Sequence, residues 1–236
     1  MPSDDEVMDA IARQGDASAD ARYLALLRSQ AARLLVAESA GHVVGFGGAA
    51  DIAGTSMLTD LFVAADARGH GVGTRLLNEL FAGSSRRMTF SSAHPAALAA
   101  YRRMGMHPQW RLLYLEGPSV GDGMTPPNGE WQHDRVSLVN EMARQGAHVT
   151  ADVVVAPEAT KTWIARLQSA RPVEVLVAAL AGLTPGAVVT MCTPEHSPVG
   201  DWAQDHGFEV MDYDSFCATP GVSVPPDLHC LDPGLA

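Results

Sequence analysis

Residues 61–77 of the chain read LFVAADARGHGVGTRLL, and the fold is decided in this stretch. An apolar strand end passes through a turn that contains Arg68 and continues directly into a leucine-bearing helical pattern. The turn holds three glycines, Gly69, Gly71 and Gly73. The first turn of a helix exposes unpaired N–H groups and a partial positive charge, and glycines leave that surface open to an anion. The sequence therefore predicts a pyrophosphate site at residues 68–74 or, alternatively, a turn with a purely structural role.

Periodicity on both sides of this stretch predicts an α/β (α+β) fold. Helical patterns occupy residues 5–14 and 19–34, and a hairpin is predicted at 34–50. The pattern then alternates between strand and helix, with strands at 55–65, 87–92 and 110–116 and helices at 71–83 and 95–105. Such alternation is typical of a sheet flanked by helices. In the second half the pattern predicts a strand at 148–156, one or two helices across 158–183 and a tail at 219–236 with too many prolines for regular structure.

The quoted stretch resembles the acetyl-CoA loop of the GNAT superfamily of N-acetyltransferases. In that family a strand ending in Leu-aromatic-Val leads through Arg/Gln-x-x-Gly-x-Gly/Ala into a helix, and Arg68, Gly71 and Gly73 match this motif. A second stretch, HPAALAAYRRMGM at 94–106, resembles the family's helix Asn-x-x-Ala-x-x-x-Tyr-x-x-x-Gly-Phe. The resemblance covers residues 33–117 and implies the GNAT fold, a mixed central sheet flanked by helices, with acetyl-CoA as co-substrate and no metal.

The resemblance also implies transfer of an acetyl group to a primary amine by direct attack. Tyr101 matches the tyrosine that protonates the leaving thiolate, and Asp60 stands where the family often carries the base for the amine. His94 departs from the family pattern, which has asparagine there. The predicted coenzyme contacts are Leu61, Phe62, Val63, Arg68, Gly69, His70, Gly71, Val72, Gly73, Thr74 and His94.

No residue pattern identifies the acceptor, so three functions stay open. The leading hypothesis is an N-acetyltransferase acting on a small-molecule amine. The second is a non-catalytic acyl-CoA-binding or regulatory module, and the third is transfer to a protein N-terminus or lysine. Pairing of two copies of the chain is also left open.

The second half resembles a degenerate copy of the first. His94, Gly105 and Pro118 recur at constant spacing as His196, Gly207 and Pro220, which places Ala203 at the position of Tyr101. VAADA at 63–67 recurs as VAPEA at 155–159, which places Thr160, Trp163 and Ala165 at the positions of Arg68, Gly71 and Gly73. The predicted domains are a GNAT domain at 1–118, a linker at 119–130 and a GNAT-like domain at 131–236. The second domain would complete the sheet, shape the acceptor cleft or mediate pairing.

Composition excludes several classes of protein. The net charge of −11 lies almost entirely in the second half, which argues against nucleic acid as a partner. No apolar run is long enough to span a membrane, and the acidic first twenty residues do not resemble a signal peptide. The 3 cysteines are irregularly spaced, so neither a disulfide framework nor a zinc site is predicted. The sequence is typical of a cytoplasmic protein.

Overall fold

The structure of the protein is a computed structural model that describes residues 21–30, 33–119, 128–157 and 160–234. These residues form eleven strands: β1 Arg33–Ser39, β2 His42–Ile52, β3 Thr55–Val63, β4 Arg87–Ser91, β5 His107–Pro118, β6 His148–Val149, β7 Val153–Pro157, β8 Thr162–Gln168, β9 Val188–Pro194, β10 Glu209–Ala218 and β11 Leu228–Leu231. They also form six α-helices: α1 Ala21–Ser29, α2 Val72–Leu80, α3 Pro95–Arg103, α4 Val136–Arg144, α5 Pro172–Ala181 and α6 Pro198–Asp205.

The strands join into one mixed sheet. Its order is β1-β2-β3-β4-β10-β5-β9-β8-β7-β6, and β11 pairs with β8 beside this path. The pairs β3–β4 and β8–β9 are parallel, and the other pairs are antiparallel. Parallel neighbours need a crossover connection, which α2 provides between β3 and β4 and α5 provides between β8 and β9. The predicted mixed sheet with flanking helices is confirmed.

The two halves of the chain exchange their last strands. β10 of the second half lies between β4 and β5 of the first half and is antiparallel to both. In the same way, β5 lies between β10 and β9. Each half therefore completes the sheet of the other, and the regions predicted as domains, 1–118 and 131–236, share one sheet. Most of the predicted linker at 119–130 lies outside the described residues.

The two faces of the sheet pack against different helices. On β2, Phe46 belongs to a cluster that contains Leu27 of α1 and Val139 of α4. The neighbouring Gly47 faces α2, where an added Cβ would lie 2.8 Å from the side chain of Leu80. The glycines of β2 therefore allow α2 to approach the sheet closely. We call the face that carries α2, α3, α5 and α6 the back face, and the face that carries α1 and α4 the front face.

Three predictions for the second half are wrong. Residues 148–156, expected to form one strand, form the hairpin of β6 and β7. Residues 162–168, expected to be helical, form β8, whose side chains are buried from Ile164 onward by neighbours on both faces. The tail at 219–236, expected to be irregular because of its prolines, contains β11, a proline-free segment buried against β8. The predicted helix at 5–14 lies outside the described residues.

Candidate active site

The parallel strands β3 and β4 separate before β3 ends. Their pairing runs only from Ser56↔Arg87 to Leu58↔Thr89. The register of β2 against β3 then shifts between Gly48 and Ala49, which leaves Thr59 as an extra residue in β3. β3 continues to Val63 with β2 on one side, and none of the described residues forms a strand on its other side. The separation creates a wedge, which we call the first opening.

The far wall of the first opening is β10. Its residues from Ser215 onward pair with β4, whereas residues 209–214 pair with β5 alone. The Ala64 N–H donates to Val44 O on β2, so by strand alternation the backbone groups of Leu61 and Val63 point away from β2 and into the opening. The end of β3 thus offers the N–H groups of Leu61 and Val63 and the carbonyl of Leu61 to an extended ligand, whereas the Val63 carbonyl accepts a hydrogen bond from Arg68.

The glycine turn closes one end of the first opening. Gly69 and Gly71 have φ of 79° and 81°, a left-handed conformation in which a side chain would be strained. Gly71 is the N-cap of α2, and no side chain caps that helix. Gly73 has no such φ, and a Cβ there would meet only Val63 Cγ2 at 3.5 Å. Since the fold itself does not require glycine at residue 73, its effect is to leave the first turn of α2 bare.

Arg68 and His70 extend from the same turn. The Arg68 Nε donates to Val63 O at 2.9 Å, which holds the guanidinium group over the end of β3. His70 is exposed and borders a hollow between β1 and α2 rather than the first opening. Thr74 is exposed in the first turn of α2. The structure therefore brings Arg68, Thr74 and the bare N–H groups of α2 together, whereas His70 lies to one side.

His94 lies at the N-terminus of α3 and is exposed. Its Nδ1 accepts a hydrogen bond from the Ala96 N–H at 3.2 Å, so it caps the helix as asparagine would. Pro95 follows at the first helical position. The departure from the asparagine of the second motif therefore preserves the local structure of α3.

Tyr101 is buried in the last turn of α3. Its side chain is 7 % exposed and packs in a cluster with Leu58 of β3 and Leu77 of α2. Burial, followed by the charges of Cys217, Asp214 and Asp60, raises the pKa of Tyr101 to about 12. The phenol therefore stays protonated at neutral pH and can act only as a proton donor in the free protein.

Two carboxylates flank the first opening on its two walls. Asp60 follows the extra residue of β3 and lies on the front face, where a Cβ at Gly48 would be 3.6 Å from its Oδ2. Asp214 lies on β10 and accepts a hydrogen bond from the Tyr114 hydroxyl at 2.7 Å. Burial raises the pKa of Asp214, and the hydrogen bond from Tyr114 partly opposes this shift. Both carboxylates are close enough to Tyr101 for their charges to raise its pKa.

Phe62 shares the front face with Asp60. Its ring stacks on Phe46 with a centroid separation of 5.6 Å, and 39 % of the residue is exposed. An exposed aromatic ring beside a carboxylate gives this wall of the opening both an apolar and an acidic character.

A second opening exists between β8 and β9, and the chain itself fills it. The pairing of these strands ends at Ile164↔Met191, and Ala165 is the extra residue of β8. β11 then pairs with β8 from Leu228↔Gln168 to Leu231↔Arg166 and occupies the wedge. Arg166, the residue after the extra one, stands where Asp60 stands in β3, and its Nη2 is 3.2 Å from Asp134 Oδ1.

The second half has lost the other features of the site as well. The Met106 N–H donates to Tyr101 O and the Phe208 N–H donates to Ala203 O, both at 3.0 Å, so Ala203 does occupy the position of Tyr101. The alignment of Thr160, Trp163 and Ala165 with the glycine turn is wrong, because residues 155–157 belong to β7 and residues 163 and 165 lie within β8. The true counterpart of the glycine turn is the short connection at 169–171, which contains no glycine and leads into Pro172.

Sequence reasoning missed Asp214 and β11. A signal for Asp214 exists in the internal repeat, which aligns it with Leu112, a fully buried leucine of β5. A charged residue at such a position is rarely structural. No comparable signal exists for β11.

The described residues were compared with the requirements of a metal site and of a membrane-spanning helix, and they meet neither. Within them, no group of three or more His, Cys, Asp and Glu side chains could hold a metal ion. Their helices include none that is long and apolar enough to cross a membrane. The cysteines Cys192, Cys217 and Cys230 are free and buried.

Comparisons with known proteins agree with this geometry. A family model described as the acetyltransferase (GNAT) domain matches residues 30–107, which include β3, the glycine turn and α3. No curated protein matches the sequence. A crystal structure of a candidate acetyltransferase from Pyrococcus horikoshii is similar with a TM-score of 0.70 at 13% identity, covering 99% of this chain and 90% of that one.

Two further solved structures share the fold. A tandem GNAT protein from the clavulanic acid biosynthesis pathway gives a TM-score of 0.57 at 16% identity, covering 93% of this chain and 95% of that one. A glucosamine N-acetyltransferase region of a fungal multi-domain GH3 β-N-acetylglucosaminidase gives 0.66 at 13% identity, covering 92% of this chain and 37% of that one. At these identities the likeness concerns the fold.

Proposed function

We propose that this chain, whose residues 30–107 match the GNAT acetyltransferase domain, transfers the acetyl group of acetyl-CoA to the primary amine of a small molecule. The observation that carries the proposal is the first opening. There, backbone groups of β3 that face away from β2, the bare N-terminus of α2 and the buried ring of Tyr101 surround a wedge that no strand of the described residues enters.

The first opening suits the parts of coenzyme A. The N–H groups of residues 72–74 at the start of α2 would receive the pyrophosphate, with Arg68 supplying positive charge beside them. The backbone groups of Leu61 and the N–H of Val63 would pair with the amide groups of the pantetheine arm, as an added strand would. The thioester would then lie between the walls that carry Asp60 and Asp214.

The chemistry follows from these positions. Asp60 accepts a proton from the ammonium group, directly or through water, and the resulting amine nitrogen attacks the thioester carbonyl carbon. A carbon–nitrogen bond forms, the carbon–sulfur bond breaks, and the Tyr101 hydroxyl donates its proton to the departing thiolate. The nitrogen releases its second proton to solvent as the neutral amide forms, and the Tyr101 phenolate and Asp60 exchange protons with solvent to return to their starting states. The raised pKa of Tyr101 keeps the phenol protonated in the free protein, so the proton is available when the thiolate departs.

Calorimetric titration with acetyl-CoA is the first test. We expect binding with a stoichiometry of one per chain, because the second opening is filled by β11. Release of free thiol is then followed across a panel of small amines and a lysine-containing peptide. Transfer to small amines would support the proposal, binding without transfer would favour a regulatory acyl-CoA module, and transfer to the peptide alone would favour a protein acetyltransferase.

A further inference from the structure

The start of α6 carries a serine that faces a histidine of β11. Ser197 is the N-cap of α6, and its Oγ accepts a hydrogen bond from the Val199 N–H at 3.3 Å. The same Oγ lies 3.0 Å from Nδ1 of His229. A serine hydroxyl within hydrogen-bond distance of an imidazole is the arrangement on which nucleophilic catalysis by serine depends.

A β-bulge directs the His229 ring toward Ser197. Along β11, the pairing with β8 passes from Leu228 directly to Cys230, so His229 is an extra residue of the strand. Bulges re-aim side chains and are frequent beside active sites. β11 is also the strand that fills the second opening. The element that closes the second half to a coenzyme therefore brings an imidazole to the start of α6.

The His229 ring is in a state to accept a proton. Burial lowers its pKa, whereas the charge of Asp227 and a hydrogen bond with the backbone of Ser169 oppose this shift, so the ring is mostly neutral at pH 7. A backbone hydrogen bond that favours the charged ring is one in which a ring N–H donates to a carbonyl. Because Nδ1 is directed at Ser197, that donor is Nε2, and the lone pair of Nδ1 is left for the serine hydroxyl.

A cavity of about 320 Å³ opens beside this pair, and both side chains line it. Its other walls are mainly apolar and include Trp110, Pro194, Val224, Pro225 and Leu228. The Trp110 ring stacks on Phe216 with a centroid separation of 4.6 Å, which fixes one wall. The volume is at the small end of the range of ligand pockets, which suits a compact molecule.

The electrostatics of the cavity suit a neutral substrate. Among the described residues that line it, the one carboxylate is Glu195, which is paired with Arg111 at an Oε2–Nε distance of 2.7 Å. The N-terminus of α6 begins at Ser197, and its partial positive charge stabilises negative charge that develops on a carbonyl oxygen beside it. The surroundings therefore suit an ester carbonyl better than a carboxylate or an ammonium group.

Helix capping alone does not account for the pair. An N-cap uses a lone pair of the serine oxygen and does not require a base on the hydroxyl proton. In the first half, α3 is capped by the exposed His94, whose Nδ1 accepts from the Ala96 N–H at 3.2 Å. A stable cap at this place in the fold thus needs neither a serine nor a second side chain, and the second half has both.

We propose that Ser197 and His229 form a second reactive centre, which hydrolyses compact neutral esters through an acyl-serine. The Ser197 Oγ attacks the ester carbonyl carbon while its proton passes to His229 Nδ1. The bond from that carbon to the alcohol oxygen breaks, and the alcohol leaves with the proton from Nδ1. Water then attacks the acyl carbon and gives a proton to Nδ1, and the serine oxygen leaves and recovers this proton. The products are a carboxylic acid and an alcohol.

The test uses the full chain without acetyl-CoA, so its outcome does not depend on the proposed acetyl transfer. Diisopropyl fluorophosphate, which phosphorylates activated serines, is added, and the modified residue is identified by peptide mass spectrometry. Hydrolysis is followed with p-nitrophenyl acetate. We expect one adduct, located on Ser197, and saturable hydrolysis above the rate in buffer.

Ser197→Asn separates the nucleophile from the helix cap, because asparagine caps helices about as well as serine but cannot form an acyl ester. The adduct and the hydrolysis should both be lost in this variant, while its acetyl-CoA affinity stays that of wild type. His229→Gln should lower the hydrolysis rate by about 10²-fold or more, as expected for loss of a general base. His42→Gln, at an exposed histidine outside the cavity lining, is the matched control and should hydrolyse the ester as wild type does.

Three results would overturn the proposal. They are an adduct on a residue other than Ser197, hydrolysis in Ser197→Asn at the wild-type rate, and a wild-type chain that neither takes up the label nor hydrolyses the ester. If Ser197→Asn does not fold, the position of the adduct in wild type decides. An adduct on Ser197 supports the centre, and an adduct elsewhere or none at all overturns it.

Discussion

The first and second openings have the same architecture and opposite contents. In each, the pairing of two parallel strands ends directly before an extra residue, Thr59 in β3 and Ala165 in β8. The first opening is bordered by a glycine turn and a buried tyrosine, whereas β11 fills the second. The features that shape the sheet are present in both halves, and the groups that could contact a coenzyme are present in one. The wedge is thus a property of the fold, and binding depends on what surrounds it.

The residue that follows the extra residue on the front face also differs between the two halves. Asp60 and Arg166 occupy equivalent positions, each directly after the extra residue of its strand. Asp60 is half-buried beside the open wedge, whereas Arg166 is 3 % exposed and paired with Asp134. The second half therefore has, in place of the carboxylate of Asp60, a guanidinium group that forms an ion pair with Asp134 in the segment before α4.

The largest expected effect comes from making the first opening as closed as the second. Gly71→Glu places a carboxylate and a bulky chain at the N-cap of α2, so acetyl-CoA binding should be lost in calorimetry. The left-handed φ adds a strain of about 1–2 kcal/mol, which the fold should tolerate.

The matched control for this variant is Gly186→Glu. Gly186 lies in the turn between α5 and β9, has φ of 74° and has no atom within 4 Å of its Cβ position. Glutamate at residue 186 therefore causes the same backbone strain as glutamate at residue 71, away from the first opening. Coenzyme affinity equal to wild type in Gly71→Glu would show that the turn does not bind phosphate.

Removing the hydroxyl group of Tyr101, which its counterpart Ala203 lacks, should have the next largest effect on the reaction. Tyr101→Phe should lower kcat by about 10²–10⁴-fold, the range of general acid catalysis, because the leaving thiolate loses its proton donor. The Kd for acetyl-CoA should change little, since the ring still fills its cluster. A kcat that matches wild type would remove Tyr101 from the mechanism and leave the two halves equivalent at this position.

Weakening the strand that fills the second opening should affect stability rather than coenzyme binding. Leu231 is 0 % exposed in β11, so Leu231→Ala should lower the free energy of unfolding by about 2–5 kcal/mol in urea titrations. Val177→Ala, at a residue of α5 that is 38 % exposed, should change it by less than about 0.5 kcal/mol. If Leu231→Ala and wild type had the same free energy of unfolding, β11 would not fill the wedge in solution.

The smallest expected effect is the part of the alkaline pH dependence of stability that comes from Tyr101, whose counterpart Ala203 cannot titrate. The pKa of Tyr101 is raised from 10.0 to about 12 in the folded chain, so the unfolded chain loses the phenolic proton first as pH rises. The stability linked to Tyr101 is therefore complete below pH 10 and lost as pH approaches 12.

This pH dependence is measured as the difference between urea midpoints at pH 9 and pH 11. The decrease should be smaller in Tyr101→Phe than in wild type. An identical decrease in both chains would contradict the buried position of this side chain.

The first opening could be predicted from sequence because its residues are local. The end of β3, the glycine turn and the start of α2 lie within 61–77, where strand and helix periodicities meet at glycines. Tyr101 was identified through a second contiguous motif. The structure brings Tyr101 and Asp60 to the same opening, and their roles stay predictions.

Contributions from strand exchange could not be predicted in this way. Asp214 reaches the first opening only because β10 pairs with β4 and β5, and no local pattern shows which distant strands will pair. β11 was missed for a related reason. Its four residues become a strand because a wedge is available between β8 and β9, and isolated segments of that length have little preference for any structure.

The exchange of β5 and β10 also sets the order in which the protein can be made. A ribosome releases the glycine turn and α3 long before residues 209–218, yet β10 is the far wall of the first opening. The pairing of Ser91 with Ser215 joins residues separated by half of the chain, and such distant contacts slow folding. The nascent first half therefore exposes the free edges of β4 and β5 until almost the whole chain has been synthesised. Coenzyme-binding competence should then arise late and all at once, as the last strands enter the sheet.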